Sequence, residues 1–450
     1  MKSRRLTRRE FARALRQGRG CAFLHVKEYG DKDKGIKEEL LKACLKSLEY
    51  DGQLESGRSG WIVDILDRAG DIKYYAEPIK AALEAALSGT GNIPKGDLLH
   101  LIHLGSSLFL RGFGEFQSLI LQFCTHPEMQ DDPLLLAEKL IDIAAYSGFE
   151  LAVELTASDK VVNWERHWLY EYACSFLADK PEIDQYLAEK AKENQAVATF
   201  YKSVIEEEKE RKQTQIKTVP SEEFLTLSQI MRAIESEEKP RRYVRSYYRF
   251  AKQASIRDLQ EIAALIETES DEIKLYYYLY IFTERELPLV SNKVINLLFG
   301  PNIELRRVAQ NSLSLVTARS VRRIALALMN DSKQRNKVRG INLLKNNFQL
   351  DDLKLLQETL TRLKKVDLLH HAAMDALEIA RGSEELSLAN LLEWIHDATP
   401  CSRCRFRAIE ILIEKNCAPD QMLYEGQWDT SSNTVDLTRA HIAKRTGGLK

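Results

Sequence analysis

Leu305-Arg306-Arg307-Val308-Ala309-Gln310-Asn311-Ser312-Leu313 and Cys404-Arg405-Phe406-Arg407-Ala408-Ile409-Glu410-Ile411-Leu412 decide the fold of this 450-residue chain. In both, a leucine or cysteine is followed by arginine, a small residue at the fifth position and leucine at the ninth. Residues 273–281, 336–344 and 369–377 approximate the pattern, and the five first positions lie 32, 31, 33 and 35 residues apart. Positions one, five and nine share nearly one face of an α-helix. The small fifth residue (Ala309, Gly340, Ala373, Ala408) lets a second helix approach closely, while Tyr277 breaks the rule. A recurrence of this period predicts stacked helix pairs, each burying its apolar face only against its neighbours.

Working outward, helical periodicity divides 256–416 into five pairs. Residues 256–269 pair with 271–283, 288–299 with 303–316, 320–329 with 332–346, 350–364 with 366–381, and 386–397 with 402–415. Gly300-Pro301, Asn330-Asp331, Arg381-Gly382-Ser383 and Thr399-Pro400 punctuate the turns. The segments from Leu305 and Cys404 resemble second helices of HEAT/armadillo-type repeats. The resemblance covers roughly a third of the chain. It implies an all-α, HEAT-like α-solenoid of stacked antiparallel helix pairs, in one or two arcs. The sequence departs from that pattern at Asn336, which is polar where an apolar residue is usual, and it lacks the regular loop aspartate.

The N-terminal half is helical but less regular, with helices predicted at 8–29, 37–50, 60–69, 72–87, 97–110, 115–124, 133–146, 149–156 and 163–177. Its block Gly18-Arg19-Gly20-Cys21-Ala22-Phe23-Leu24-His25-Val26, with Ala43-Cys44-Leu45 and Tyr50-Asp51, resembles the start of uncharacterised bacterial HEAT-repeat proteins. A charged run, Glu206-Glu207-Glu208-Lys209-Glu210-Arg211-Lys212, opens a polar stretch that marks a hinge near 208–222. The expected organisation is an irregular helical region over 1–207, a polar hinge and connecting helices over 208–255, repeats over 256–416 and a C-terminal tail over 417–450.

Hydrophobic residues make up 44% of the chain and charged ones 29%, an ordinary soluble composition. A formal net charge of −1 exerts no global pull towards nucleic acid or an anionic membrane. Its distribution is uneven: 131–200 hold fourteen acids against six bases, and 301–350 hold ten bases against two acids. Seven scattered cysteines read as reduced thiols of a cytoplasmic protein. Residues 1–19 are basic but lack the apolar core of a secretory signal; they share arginine richness with mitochondrial transit peptides, although Ser3 is their one serine. The chain has no apolar run of about 20 residues, so no membrane span is expected.

Several motifs invite chemistry. Cys401-Ser402-Arg403-Cys404 supplies two metal ligands where zinc needs four, and the repeat register puts Cys404 at the apolar first position. Structural thiols are therefore favoured over zinc or redox chemistry. His100 and His103 are spaced to share a helix face, yet carry none of the supporting residues of a metal helix; of His370 and His371, at most one could line a groove. The glycine-rich 88–96 loop contains Pro94 and lacks a phosphate-binding fingerprint. Asn163-Trp164-Glu165-Arg166-His167-Trp168-Leu169-Tyr170-Glu171-Tyr172 reads first as aromatic packing between helix layers. Some HEAT-like DNA glycosylases use such residues as a base pocket, so the resemblance keeps that reading open.

The basic residues are the main binding candidates. Arg241, Arg242, Arg245 and Arg249 interleave with four aromatics. Arg306, Arg307, Arg322, Arg323, Arg335, Lys337 and Arg339 recur over adjacent repeats, so stacking would align some of them into a stripe. The sequence contains no catalytic triad or nucleotide fingerprint, and implies no cofactor and no metal. The expected function is a non-enzymatic scaffold that binds a protein partner through the concave face of the α-solenoid, with the stripe meeting an acidic segment. It would act as an accessory subunit of a bacterial multi-protein system, with anti-phage defence as one setting. The alternative is a nucleic-acid-binding solenoid using the stripe over 241–345, and the remote one is a DNA glycosylase.

Overall fold

The structure is a computed structural model that describes residues 4–50, 57–124, 126, 134–157, 161–216 and 225–447. Among these residues every regular element is helical. The chain forms two compact units, one of residues 1–220 with 423–446 and one of 221–422 with 447–450.

The second unit is a HEAT-like stack of helix pairs. Its pairs are Ile256–Thr268 with Glu272–Ile281, Asn292–Leu297 with Ile303–Ser314, Arg319–Met329 with Gln334–Leu344, Leu353–Thr361 with Val366–Gly382, and Ala389–Ala398 with Ser402–Glu414. Each second helix also packs against the next second helix in sequence. The first helix of the second pair is shorter than the 288–299 expected, and the last two pairs open with short 3-10 turns. Ala309, Gly340, Ala373 and Ala408 are buried at the fifth position, as are Ile281, Leu313, Leu344, Leu377 and Leu412 at the ninth. Gly340 shows why the fifth residue is small: a Cβ there would lie 2.6 Å from the Ala325 carbonyl oxygen. Tyr277 departs from the rule because its hydroxyl reaches out to Glu237 Oε2 at 3.0 Å and the Lys239 carbonyl at 2.9 Å. Asp271 and Asn302 cap the first two second helices by accepting backbone amides.

Polar side chains tie successive pairs together. Gln310 donates to Asn342, and Asn342 donates to Asp375, both at 3.0 Å. Ser312 donates to the Leu279 carbonyl at 2.8 Å, and Asn347 to the Val316 carbonyl at 2.7 Å. Their partners lie about one repeat away, so a period read as apolar stacking is also a period of hydrogen bonding.

The first unit has one apolar core running from Phe11 to Val204. The helix expected over 8–29 is two, Arg8–Gln17 and Gly20–Tyr29, divided at Gly18, whose φ of 69° favours glycine. The helix Leu134–Thr156 is broken at Ala145, with φ 48°. Residues expected as a C-terminal tail form the helices Asp420–Gly426 and Ser432–Gly447. Trp428 stacks on Phe23 at 4.6 Å, and its carbonyl accepts the Trp61 indole N–H at 2.8 Å. The Gly18 carbonyl accepts Thr430 N–H at 3.0 Å, and a Cβ on Gly20 would lie 1.9 Å from the Glu425 carbonyl oxygen. The Gly-Arg-Gly block is therefore shaped by chain more than 400 residues away. Of the expected hinge, the helix Gln195–Ile216 extends through its first part, and 217–224 lie outside the described residues.

Candidate functional site

The basic residues of the second unit divide into two groups. Arg241 is paired with Glu237, a carboxylate that also accepts from Tyr277 and from Tyr247 at 3.1 Å. Burial pushes Glu237 upward, but these hydrogen bonds together override it and hold the carboxyl below its ordinary value. Arg306 donates to the Gly300 carbonyl at 3.1 Å, and Arg307 to Glu304 and to the Tyr276 hydroxyl, both at 2.8 Å. Arg322 makes a forked pair with the buried Asp352, at 3.0 and 2.6 Å. Lys337 donates to the Met329 carbonyl at 2.8 Å, and Arg339 to Gln310 at 3.0 Å. Burial and the neighbouring Arg306 lower the Arg339 guanidinium below its ordinary value. Arg249 also has an interaction within the protein.

Arg242, Arg245, Arg323 and Arg335 are exposed, and their guanidinium groups have no partner among the described residues. Of the aromatics interleaved with the first basic run, Tyr247 and Phe250 are core, whereas Tyr243 is 68% exposed. The expected stripe thus consists mostly of internal ties, with four free cations. A cleft of about 820 Å³ in the same unit follows the same logic. Its cations Lys345 and Arg381 are paired to Asp375 and Glu410.

The tryptophan-rich helix Asn163–Phe176 differs from its expected reading. His167, Leu169, Tyr170 and Ala173 face inward, while Trp164 and Trp168 lie on the surface, 57% and 40% exposed. They do not pack between layers. With Tyr172 and Phe176 they form an i, i+4, i+8, i+12 row. Trp168 stacks on Tyr172 at 6.2 Å, and Tyr172 on Phe176 at 5.9 Å. Tyr172 is fixed from beneath by donating to Asp142 at 2.5 Å, and Asp142 also pairs with Lys139. Glu165, one of the two acids in this run, accepts the Val162 amide at 3.1 Å and so serves the helix start.

His100 is buried as expected of a satisfied histidine. Its Nε2 donates to the Ala43 carbonyl at 2.9 Å, which leaves Nδ1 to accept from Ser59 Oγ at 3.0 Å. Burial lowers its pKa. His370, by contrast, joins Cys401 and Cys404. The donor atoms of the three lie within 4.8 Å of one another, and His370 Nδ1 is 3.3 Å from Cys404 Sγ. A hydrogen bond from Cys404 and the adjacent His370 lower the Cys401 thiol, while the same bond and burial raise Cys404. The sequence reading missed His370 because it stands 34 residues before Cys404. That distance is one repeat, so the register itself was the available signal.

No protein-family model matches the chain, and no curated protein matches it. Two solved structures align with 96% of it at 13% identity: the karyopherin Kap121p bound to the SUMO protease Ulp1p, TM-score 0.32, and Kap121p bound to Nup53p, TM-score 0.31. The aligned part is 53% of each Kap121p chain, so this protein spans about half their length.

Proposed function

We propose that the protein is a non-enzymatic scaffold that docks a protein partner on a helical surface of its first unit. The aromatic row Trp164, Trp168, Tyr172 and Phe176 carries this reading. Four rings follow one another along one helix, the last three stacked in succession and three of the four exposed, and form a patch rather than scattered surface apolars. Tryptophan and tyrosine are the side chains most enriched at interface centres, since they bury much area at little entropy cost. The surrounding 131–200 region, with fourteen acids against six bases, favours a partner segment with apolar anchors and a lysine- or arginine-rich rim. The likeness of the 18–26 block to bacterial helical-repeat proteins supports an accessory role in a bacterial multi-protein system, with anti-phage defence the pathway to test first.

A second reading rests on Arg242, Arg245, Arg323 and Arg335, whose free guanidinium groups suit an acidic segment or a phosphate backbone. Affinity purification from the native host separates the two. The triple variant Trp164→Ser, Trp168→Ser, Phe176→Ser should lose a partner that the quadruple Arg-to-Glu variant retains. The opposite pattern moves the site to the basic surface. Binding of labelled DNA or RNA that weakens with rising salt, and is lost in the quadruple variant, would make the partner a nucleic acid. Equal recovery of the same partner by both variants removes both surfaces from consideration.

A further inference from the structure

We propose that His370, Cys401 and Cys404 form a zinc site that clamps the last two helix pairs of the second unit together. The three residues come from two helices that stack on each other: His370 from the first turns of Val366–Gly382, Cys401 and Cys404 from the start of Ser402–Glu414. Among the described residues they are the one group of three such donors whose ligand atoms converge within 4.8 Å. Zinc bound at about 2.3 Å to sulfur and about 2.0–2.1 Å to nitrogen places tetrahedral donors roughly 3.5–3.8 Å apart. His370 Nδ1 and Cys404 Sγ stand at 3.3 Å, so a small outward shift seats an ion between them.

The repeat register shows that these residues are not what packing alone would select. At the position of Cys404 the sister repeats carry Ile273 and Leu305, and at that of His370 they carry Lys274 and Arg306. Cys401 is the cap residue of its helix, where the first two repeats have the amide-accepting Asp271 and Asn302. Three successive departures therefore bring two sulfurs and one imidazole to the same point. That mixed sulfur and nitrogen set suits zinc rather than a hard, oxygen-seeking cation. Both thiols are buried, at 1% and 0% exposure. A third thiol would have to open the repeat to reach them.

Binding replaces the hydrogen bonds that Cys404 makes with Cys401 and His370 by two Zn–S bonds and one Zn–N bond, and releases the thiol protons to solvent. Water completes the tetrahedron. The ion would link neighbouring repeats at the first turns of their second helices.

The test uses the full chain, stripped with a chelator under reducing conditions and titrated with Co²⁺ and then Zn²⁺. The expected result is one Co²⁺ per chain, a thiolate-to-cobalt charge-transfer band, its loss on addition of one equivalent of Zn²⁺, and a higher Tm with Zn²⁺ bound. Cys401→Ser should remove the band yet fold, because serine is itself a good helix cap. His370→Gln should weaken binding at least about ten-fold, and Cys417→Ser should change nothing. Circular dichroism checks that each variant is folded. A missing band in the folded wild type, or a band that survives both Cys401→Ser and Cys404→Ser, overturns the proposal. So does a Cys401–Cys404 disulfide in freshly purified protein that takes up no metal after reduction.

Discussion

The two units treat their conspicuous side chains in opposite ways. In the second, a region with ten bases against two acids over 301–350 directs most of its cations inward along the stack. Arg322 reaches Asp352 and Lys345 reaches Asp375, and beyond that region Arg407 reaches Glu378, each about one repeat away. In the first, an aromatic helix that looks like core keeps one face for itself and leaves three large rings on the surface. Regular stacking brings residues about one repeat apart into register, so Arg322 and Lys345 meet acids remote in sequence, while Arg306, Lys337 and Arg339 are held by carbonyls and an amide of the stack. The first unit lacks that regular period, although it too ties Arg111 to Asp64 and Asp67 and Arg8 to Glu39.

Leu313→Ala removes a fully buried ninth-position side chain and should cost about 3–4 kcal/mol by chemical denaturation, with the loss spreading to adjacent pairs. Gly20→Val forces a Cβ against the Glu425 carbonyl, and a loss of about 3 kcal/mol confined to the first unit is expected by hydrogen exchange. Arg322→Ala leaves the buried Asp352 carboxylate without its cation and held by the Gln349 amide, for about 1–2 kcal/mol in the second unit. A smaller cost would return Arg322 to the set of binding candidates.

Acid should separate the units more gently. His100, His25 and His167 are all lowered by burial in the first unit. Below the unfolded imidazole value of about 6.5 the unfolded chain takes up protons that the native unit refuses, so its stability is present above that pH and declines below it. Glu237 in the second unit is lowered in the folded state, so its contribution is retained above the unfolded carboxyl value of about 4.3 and lost as pH falls through the folded one. Hydrogen exchange at pH 5.5 against 7.5 should therefore show weakening in the first unit before the second. Simultaneous weakening would contradict this. The smallest stability effect belongs to Trp164→Ser with Trp168→Ser, within about 0.5 kcal/mol by thermal denaturation, because neither ring is core.

Much of the second unit was legible because its pattern is local: small fifth and aliphatic ninth positions within one helix, repeated. The predicted 303–316 and 402–415 correspond to Ile303–Ser314 and Ser402–Glu414. What was not legible depends on distant chain. The break at Gly18 follows from residues near 425–430, and the 8–29 periodicity runs through it undisturbed. The direction of Trp164 and Trp168 was hidden because an i, i+4 aromatic pair looks the same whether it faces core or solvent. Among the expected binding residues, the free cations Arg242, Arg245, Arg323 and Arg335 could not be told from the tied ones until their acids were located. His370 was legible in principle, since its register position lies beside Cys404 once second helices are stacked.

Site-resolved hydroxyl-radical footprinting of the five tryptophans, in native extract and after purification, tests the docking surface most directly. Trp164 and Trp168 should oxidise readily in the isolated protein and be protected in extract, while Trp61, 7% exposed, stays protected in both. Equal oxidation of Trp164 and Trp168 in extract and in isolation would contradict a partner on this face.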